Sequence, residues 1–88
     1  MRRFVVEPYR WPDGLAYQRF DVGERIAHVF WRREHFLDNY ADYGLADPPY
    51  GFEWVRYGPD VLLIDLSTGI INQVVYGVFD DGPPPEGY

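Results

Sequence analysis

Two imidazoles, His28 and His35, are the natural starting point for any chemistry in this 88-residue chain, and they stand seven residues apart. On a helix that spacing puts them two turns apart on one face, too far to share an ion unless carboxylates between them assist. Glu34, Asp38 and Asp42 supply carboxylates in the interval, but no three ligands have the spacing of a recognised metal site. The chain has no cysteine, which excludes a disulfide scaffold, a thiolate metal site and a Cys nucleophile. Ser67 is the lone serine and Thr68 the lone threonine, adjacent in one turn with no base beside them, so a hydrolase triad is not available. Asp65 follows an apolar run and precedes Ser67-Thr68-Gly69, where a carboxylate serves the turn backbone rather than acid–base catalysis. The nine glycines are scattered singly, with no phosphate-cradling loop among them. These residues predict no catalytic site, no metal site and no cofactor.

A binding role suits the inventory better. Tyr50, Phe52, Trp54, Arg56 and Tyr57 put rings and a guanidinium on a short strand beside a Pro-rich loop, and Trp, Tyr and Arg dominate interface hot spots. Most rings of so small a protein must fill its core, and Tyr50, Arg56 and Tyr57 are the candidates for a contact surface. Charge is divided unevenly. Residues 1–33 hold seven Arg and four acids, a formal +3, whereas residues 34–88 hold ten acids and only Arg56, a formal −9. A net charge of −6 argues against general nucleic-acid binding, which needs a clustered basic face. No apolar run approaches the roughly 20 residues that span a bilayer. Met1–Val6 is too short for a signal peptide and Glu7-Pro8 closes it, so an export signal is expected to have been removed or to lie outside this sequence.

The positioning elements follow from pattern. Aromatics make up 19% of the residues, which lets a short chain bury large area with few side chains. Phe52–Tyr57 reads as a strand, Gly58-Pro59-Asp60 as a turn, and Val61–Leu66 as a central strand buried on both faces. Ser67-Thr68-Gly69 reads as a three-residue hairpin loop needing positive φ at Gly69, and Ile70–Val75 as the third strand, continuing toward Phe79. The predicted fold is α+β, mainly β: an antiparallel meander over 52–57, 60–66 and 70–77. Trp54, Leu62, Ile64, Leu66, Val74 and Leu45 are its expected core. Gly44 should stop a short turn over Tyr40–Tyr43. Residues 35–40 fit either a strand or a helical stripe. Phe4–Val6 and Leu15–Phe20, separated by Pro12-Asp13-Gly14, predict an N-terminal hairpin, and a short helix is expected near 25–32. One domain over 1–79 and a disordered Pro/Gly-rich tail over 80–88 complete the reading.

The run Asp42-Tyr43-Gly44-Leu45, then Pro48-Pro49-Tyr50-Gly51-Phe52-Glu53-Trp54-Val55-Arg56, then Gly58-Pro59-Asp60 through Ser67-Thr68-Gly69, resembles the RcnB family. Gly23 and Phe30-Trp31 resemble its weaker front motif, although Ile26-Ala27 stands where the family has Leu-Pro. The matching positions Gly44, Pro48, Pro49, Gly51, Trp54, Gly58, Asp65 and Gly69 look like determinants of fold, so the resemblance carries over no metal ligands. It tips residues 35–40 toward a strand. It also implies a periplasmic, non-enzymatic accessory protein of nickel and cobalt homeostasis that works alongside an inner-membrane efflux system. The alternative is a general cell-envelope interaction module with no metal role. In either case a ring-rich surface beside a sheet edge leads us to expect pairing with a second copy.

Overall fold

The computed structural model describes residues 4–80. Its centre is an antiparallel meander: β2 (Phe52–Tyr57), β3 (Asp60–Asp65) and β4 (Ile71–Val75), in spatial order β2-β3-β4. The preceding β1 (Phe4–Val5) pairs in parallel with β5 (Phe79–Asp80), joining the two ends of the described chain. Tyr57 pairs with Asp60 across the two-residue loop Gly58-Pro59, and Gly58 there has φ +57°. β3 is the middle strand, with Val61 to Ile64 all at 4% exposure or less. Its unbroken apolar run has this cause, because alternate residues feed two different cores. Leu62 and Ile64 join Val55, Tyr57, Ile71, Ile26 and Phe30 on one face. Val61 and Leu63 join Trp54, Leu37, Val78 and Phe79 on the other.

The strands are shorter than the sequence pattern suggests. The Asp65 N–H donates to Ile70 O at 3.0 Å, closing a four-residue loop over 66–69 where a three-residue one was expected. Leu66 therefore falls in the turn and is only half-buried, as are Val74 and Leu45. Leu63 pairs with Gln73 and Ile64 with Ile71, so Asn72 is an extra residue in β4. Gly69 has φ +78°, and a Cβ there would lie 3.2 Å from the Trp31 ring and 3.4 Å from Ile26 O. We expect Gly69→Ala to lower stability by about 1–2 kcal/mol, from backbone strain plus this crowding. A denaturation midpoint equal to the parent's would show that the turn tolerates a side chain.

Three expectations for the first half of the chain are corrected. No N-terminal hairpin forms. The turn does close, with Leu15 N–H donating to Pro12 O at 3.0 Å, but Phe4–Val5 takes β5 as its partner. Residues 15–20 run without strand pairing, held instead by side chains of the sheet. No strand spans 35–40 either. A 3-10 turn at Arg33–His35 gives way to one bridge, Phe36 with Val55, before another 3-10 turn at Tyr40–Tyr43. Leu37 N–H donates to Trp54 O at 2.8 Å, so the segment touches the edge of β2 without extending the sheet. The expected helix near 25–32 shrinks to one 3-10 turn, His28–Trp31, lacking a side-chain cap. Arg25 bridges Ile70, and Ile26 N–H donates to Gly69 O, so the start of the predicted helix is already engaged with the loop and β4 edge. The tail expected over 80–88 lies outside the described residues, apart from Asp80 in β5.

Candidate functional site

Tyr57 is 1% exposed and sits at the middle of a ring cluster. Trp11 and Phe30 meet it edge-on with centroids at 5.2 Å, Phe20 at 5.4 Å, and Tyr17 lies tilted at 5.5 Å. Its hydroxyl accepts the Gln18 N–H at 2.8 Å. Burial, the larger effect, pushes its phenol above the ordinary value, against the lowering influence of that bond. Tyr57 therefore belongs to the core and offers no contact surface, contrary to the sequence reading. A hydrophobic strand end with a polar tip is the same signal in both roles.

Arg56 occupies the opposite face of β2. Its Nε–H donates to Gly58 O at 2.9 Å and Nη1 to Glu7 O at 2.7 Å. The guanidinium lies 4.8 Å from the Phe79 ring centroid and 5.6 Å from that of Tyr9, within range for cation–π attraction. Arg56 thus ties residue 7 to the sheet. Tyr50 is fully exposed, at the second position of a turn in which Phe52 N–H donates to Pro49 O at 3.0 Å and Gly51 has φ +86°. The three candidate contact residues consequently do not form one patch: one is buried, one is a half-buried tie, and one projects from a turn.

The other motif residues act on the fold. Gly44 ends the Tyr40–Tyr43 turn with φ +76°, and Trp54 Nε1 donates to Ala46 O at 2.8 Å beside Pro48 and Pro49. Gly58 passes so close to Trp11 that a Cβ would lie 2.9 Å from its ring. Asp65 Oδ1 accepts the Ser67 N–H at 2.9 Å and the Ser67 hydroxyl at 2.7 Å, which holds its carboxyl below the ordinary range.

Residues that sequence reasoning passed over complete the region. Tyr9 is buried against Trp11, with centroids at 4.6 Å, and stacks on His35 at 5.4 Å. With Arg10, Arg32, Phe36 and Arg56 they line a cleft of about 560 Å³ between residues 7–13 and the turns at 28–35, with Glu7, Asp13 and Glu34 also on its walls. Nothing local in the sequence marks Tyr9 or Trp11 as cleft residues, because Arg32 and His35, which share the cleft lining with them, are more than 20 positions away.

The histidines do not converge. His28 meets Trp31 edge-on at 4.3 Å, while His35 stacks on Tyr9. Among the described residues no group of three or more His, Asp or Glu could hold a metal ion. Burial lowers the His35 pKa below 6.5; Arg32 adds to this, and Glu34, 3.9 Å away, opposes it. The folded state then prefers neutral His35. Its contribution to stability is complete above the unfolded value near 6.5 and falls as pH drops from there through the lower folded value. We expect the denaturation midpoint of the parent to decline more steeply between pH 7.5 and pH 5 than that of His35→Gln. Parallel declines would assign the pH response to other groups.

Among the described residues, no helix is long and apolar enough to cross a membrane. No curated protein matches the chain. A solved structure 23% identical to it, covering 68% of this chain and 72% of its own, superposes with a TM-score of 0.61, a likeness in fold. A family model described as a nickel/cobalt transporter regulator matches residues 23–73, a span that runs from the Gly23 turn through the whole of β2 and β3 into β4. That span is more than half of the chain and contains both hairpin loops, the whole of β2 and β3 and the first three residues of β4, so this chain belongs to the RcnB family.

Proposed function

We propose that this protein is a non-enzymatic, periplasmic accessory of nickel and cobalt homeostasis that acts through protein contact with an envelope or efflux component. The observation that carries the proposal is the family match over residues 23–73 to a nickel/cobalt transporter regulator. The side-chain chemistry supports the route through contact. Both imidazoles are engaged with aromatic rings, and no described cluster of carboxylates and imidazoles forms a ligand set. Nickel and cobalt are in this reading the cargo of the partner system, handled by the partner's own ligands.

Deleting the gene should change cellular nickel and cobalt content and tolerance to either metal. A copy exported to the periplasm should restore both, and the His28→Ala/His35→Ala variant should restore them equally well. Unchanged metal content on deletion would remove the homeostasis role and favour the general envelope module. Failure of the histidine variant, when it is folded and exported, would mean that the domain handles the ion itself.

A further inference from the structure

Two surfaces of the domain are complementary in chemistry and lie apart in the fold. The first is the turn Asp47-Pro48-Pro49-Tyr50. Tyr50 is fully exposed, more so than any other large apolar or aromatic side chain described. Asp47 and Pro49 are exposed beside it, and no Arg or Lys occurs between residues 34 and 55. A tyrosine held wholly in solvent is unused by the core, and Tyr is among the residues that dominate interfaces. The turn is also rigid before anything binds it. Its prolines have fixed φ, Phe52 N–H donates to Pro49 O at 3.0 Å, and the Trp54 indole N–H donates to Ala46 O at 2.8 Å. Binding then costs little further ordering.

The second surface is the cleft between residues 7–13 and the turns at 28–35. Its volume of about 560 Å³ is of the size that seats a small ligand or a few side chains. Trp11 and Phe36 supply apolar wall, and Arg10 and Arg32 are exposed on the lining with no salt bridge among the described residues. Glu7 and Asp13 supply carboxylates, while Glu34 is directed toward His35. Each of these groups has a counterpart on the turn. A phenol ring and prolines pack on Trp and Phe, a phenol O–H donates to a carboxylate, and the Asp47 carboxylate pairs with a guanidinium. The first 33 residues are net basic and the remainder net acidic, which favours approach of one copy's turn to another's cleft.

One molecule cannot join its own two surfaces. The turn precedes Phe52 at the start of β2, whereas Arg56 and the Phe36–Val55 bridge place the cleft near the other end of that strand. Phe52 and Arg56 are about 13 Å apart along an extended chain. We propose that Tyr50 of one molecule seats in the cleft of a second, its ring against Trp11 and Phe36 and the neighbouring Asp47 toward Arg10 and Arg32. Such a contact is heterologous, joining different patches on the two copies, so it propagates head to tail and does not close as a symmetric pair. It uses neither edge of the sheet and stands independently of the role in metal homeostasis.

Sedimentation velocity on the full chain tests it. At low salt the weight-average sedimentation coefficient of the parent should rise with concentration, and less steeply at moderate salt. Tyr50→Ala and, separately, Arg10→Ala/Arg32→Ala should each stay at the monomer value, with denaturation midpoints equal to the parent's certifying the fold. Mixed together, the two variants supply one intact cleft and one intact turn, and should form a dimer that grows no further. A parent that is monomeric at every concentration would overturn the proposal and leave the cleft to a different protein. Variants that associate as the parent does, or a mixture that stays monomeric, would overturn it by assigning association to another surface.

Discussion

Tyr57→Ala should cost about 3–5 kcal/mol, the range for removing a large buried ring. A domain of this size has only about 5–10 kcal/mol to lose, so the variant should be partly unfolded at physiological temperature. The size of the effect follows from position. Tyr57 is 1% exposed and touches rings brought from residues 9, 11, 17, 20 and 30, so its loss leaves a cavity shared by all of them. Tyr57→Phe separates packing from hydrogen bonding. It keeps the ring, strands the Gln18 N–H, and should cost about 1 kcal/mol. Urea denaturation followed by tryptophan fluorescence gives both numbers. An alanine variant within 1 kcal/mol of the parent would mean that the ring cluster is a loose surface layer and not the main core.

Asp60→Ala should be the next most damaging substitution, at about 2–4 kcal/mol. Asp60 is 3% exposed, the one charged residue buried to that degree among those described. Its Oδ2 accepts the Tyr17 hydroxyl at 2.6 Å and its Oδ1 the Gly77 N–H at 2.9 Å. One carboxylate therefore holds both the extended segment at 15–20 and the turn after β4. Burial, reinforced by Asp60, pushes the Tyr17 phenol well above its ordinary value, which keeps it protonated as the donor. Alanine leaves two donors without their acceptor in a part-buried site. A double-mutant cycle with Tyr17→Phe should then give a coupling of at least 0.5 kcal/mol, whereas additive losses would show that Asp60 acts through Gly77 alone.

These two residues also show what the sequence conveys and what it hides. The meander was legible because its signals are local. Alternating and continuous apolar runs name the strands, and Gly58-Pro59-Asp60 and Ser67-Thr68-Gly69 name the turns. Asp60 stands at the entrance to an apolar run, where pattern alone reads a turn residue, and its role depends on Tyr17, 43 positions away. The first half misled for the same reason. Phe4-Val5-Val6 has strand composition, but pairing with Phe79–Asp80 is a contact between opposite ends that no short window contains. Residues 23–26 and 36–37 look like the beginnings of independent elements, yet each is bonded to the sheet, along β4 and its leading loop or along β2. The sheet edges from which pairing with a second copy was expected are partly occupied in this way. The candidate site was the least legible part. Arg56 was marked by its setting among rings, but the cleft it borders is built from Tyr9, Trp11 and the turns at 28–35, which share no motif.

The central claim is that this family member contributes contact surface and not metal ligands to nickel and cobalt homeostasis. Isothermal titration of the full chain with nickel and with cobalt at neutral pH tests it most directly. The account predicts no sub-micromolar binding of either ion, because His28 and His35 face different rings and the remaining oxygen ligands favour harder cations. Sub-micromolar binding that disappears in both His28→Ala and His35→Ala would contradict it.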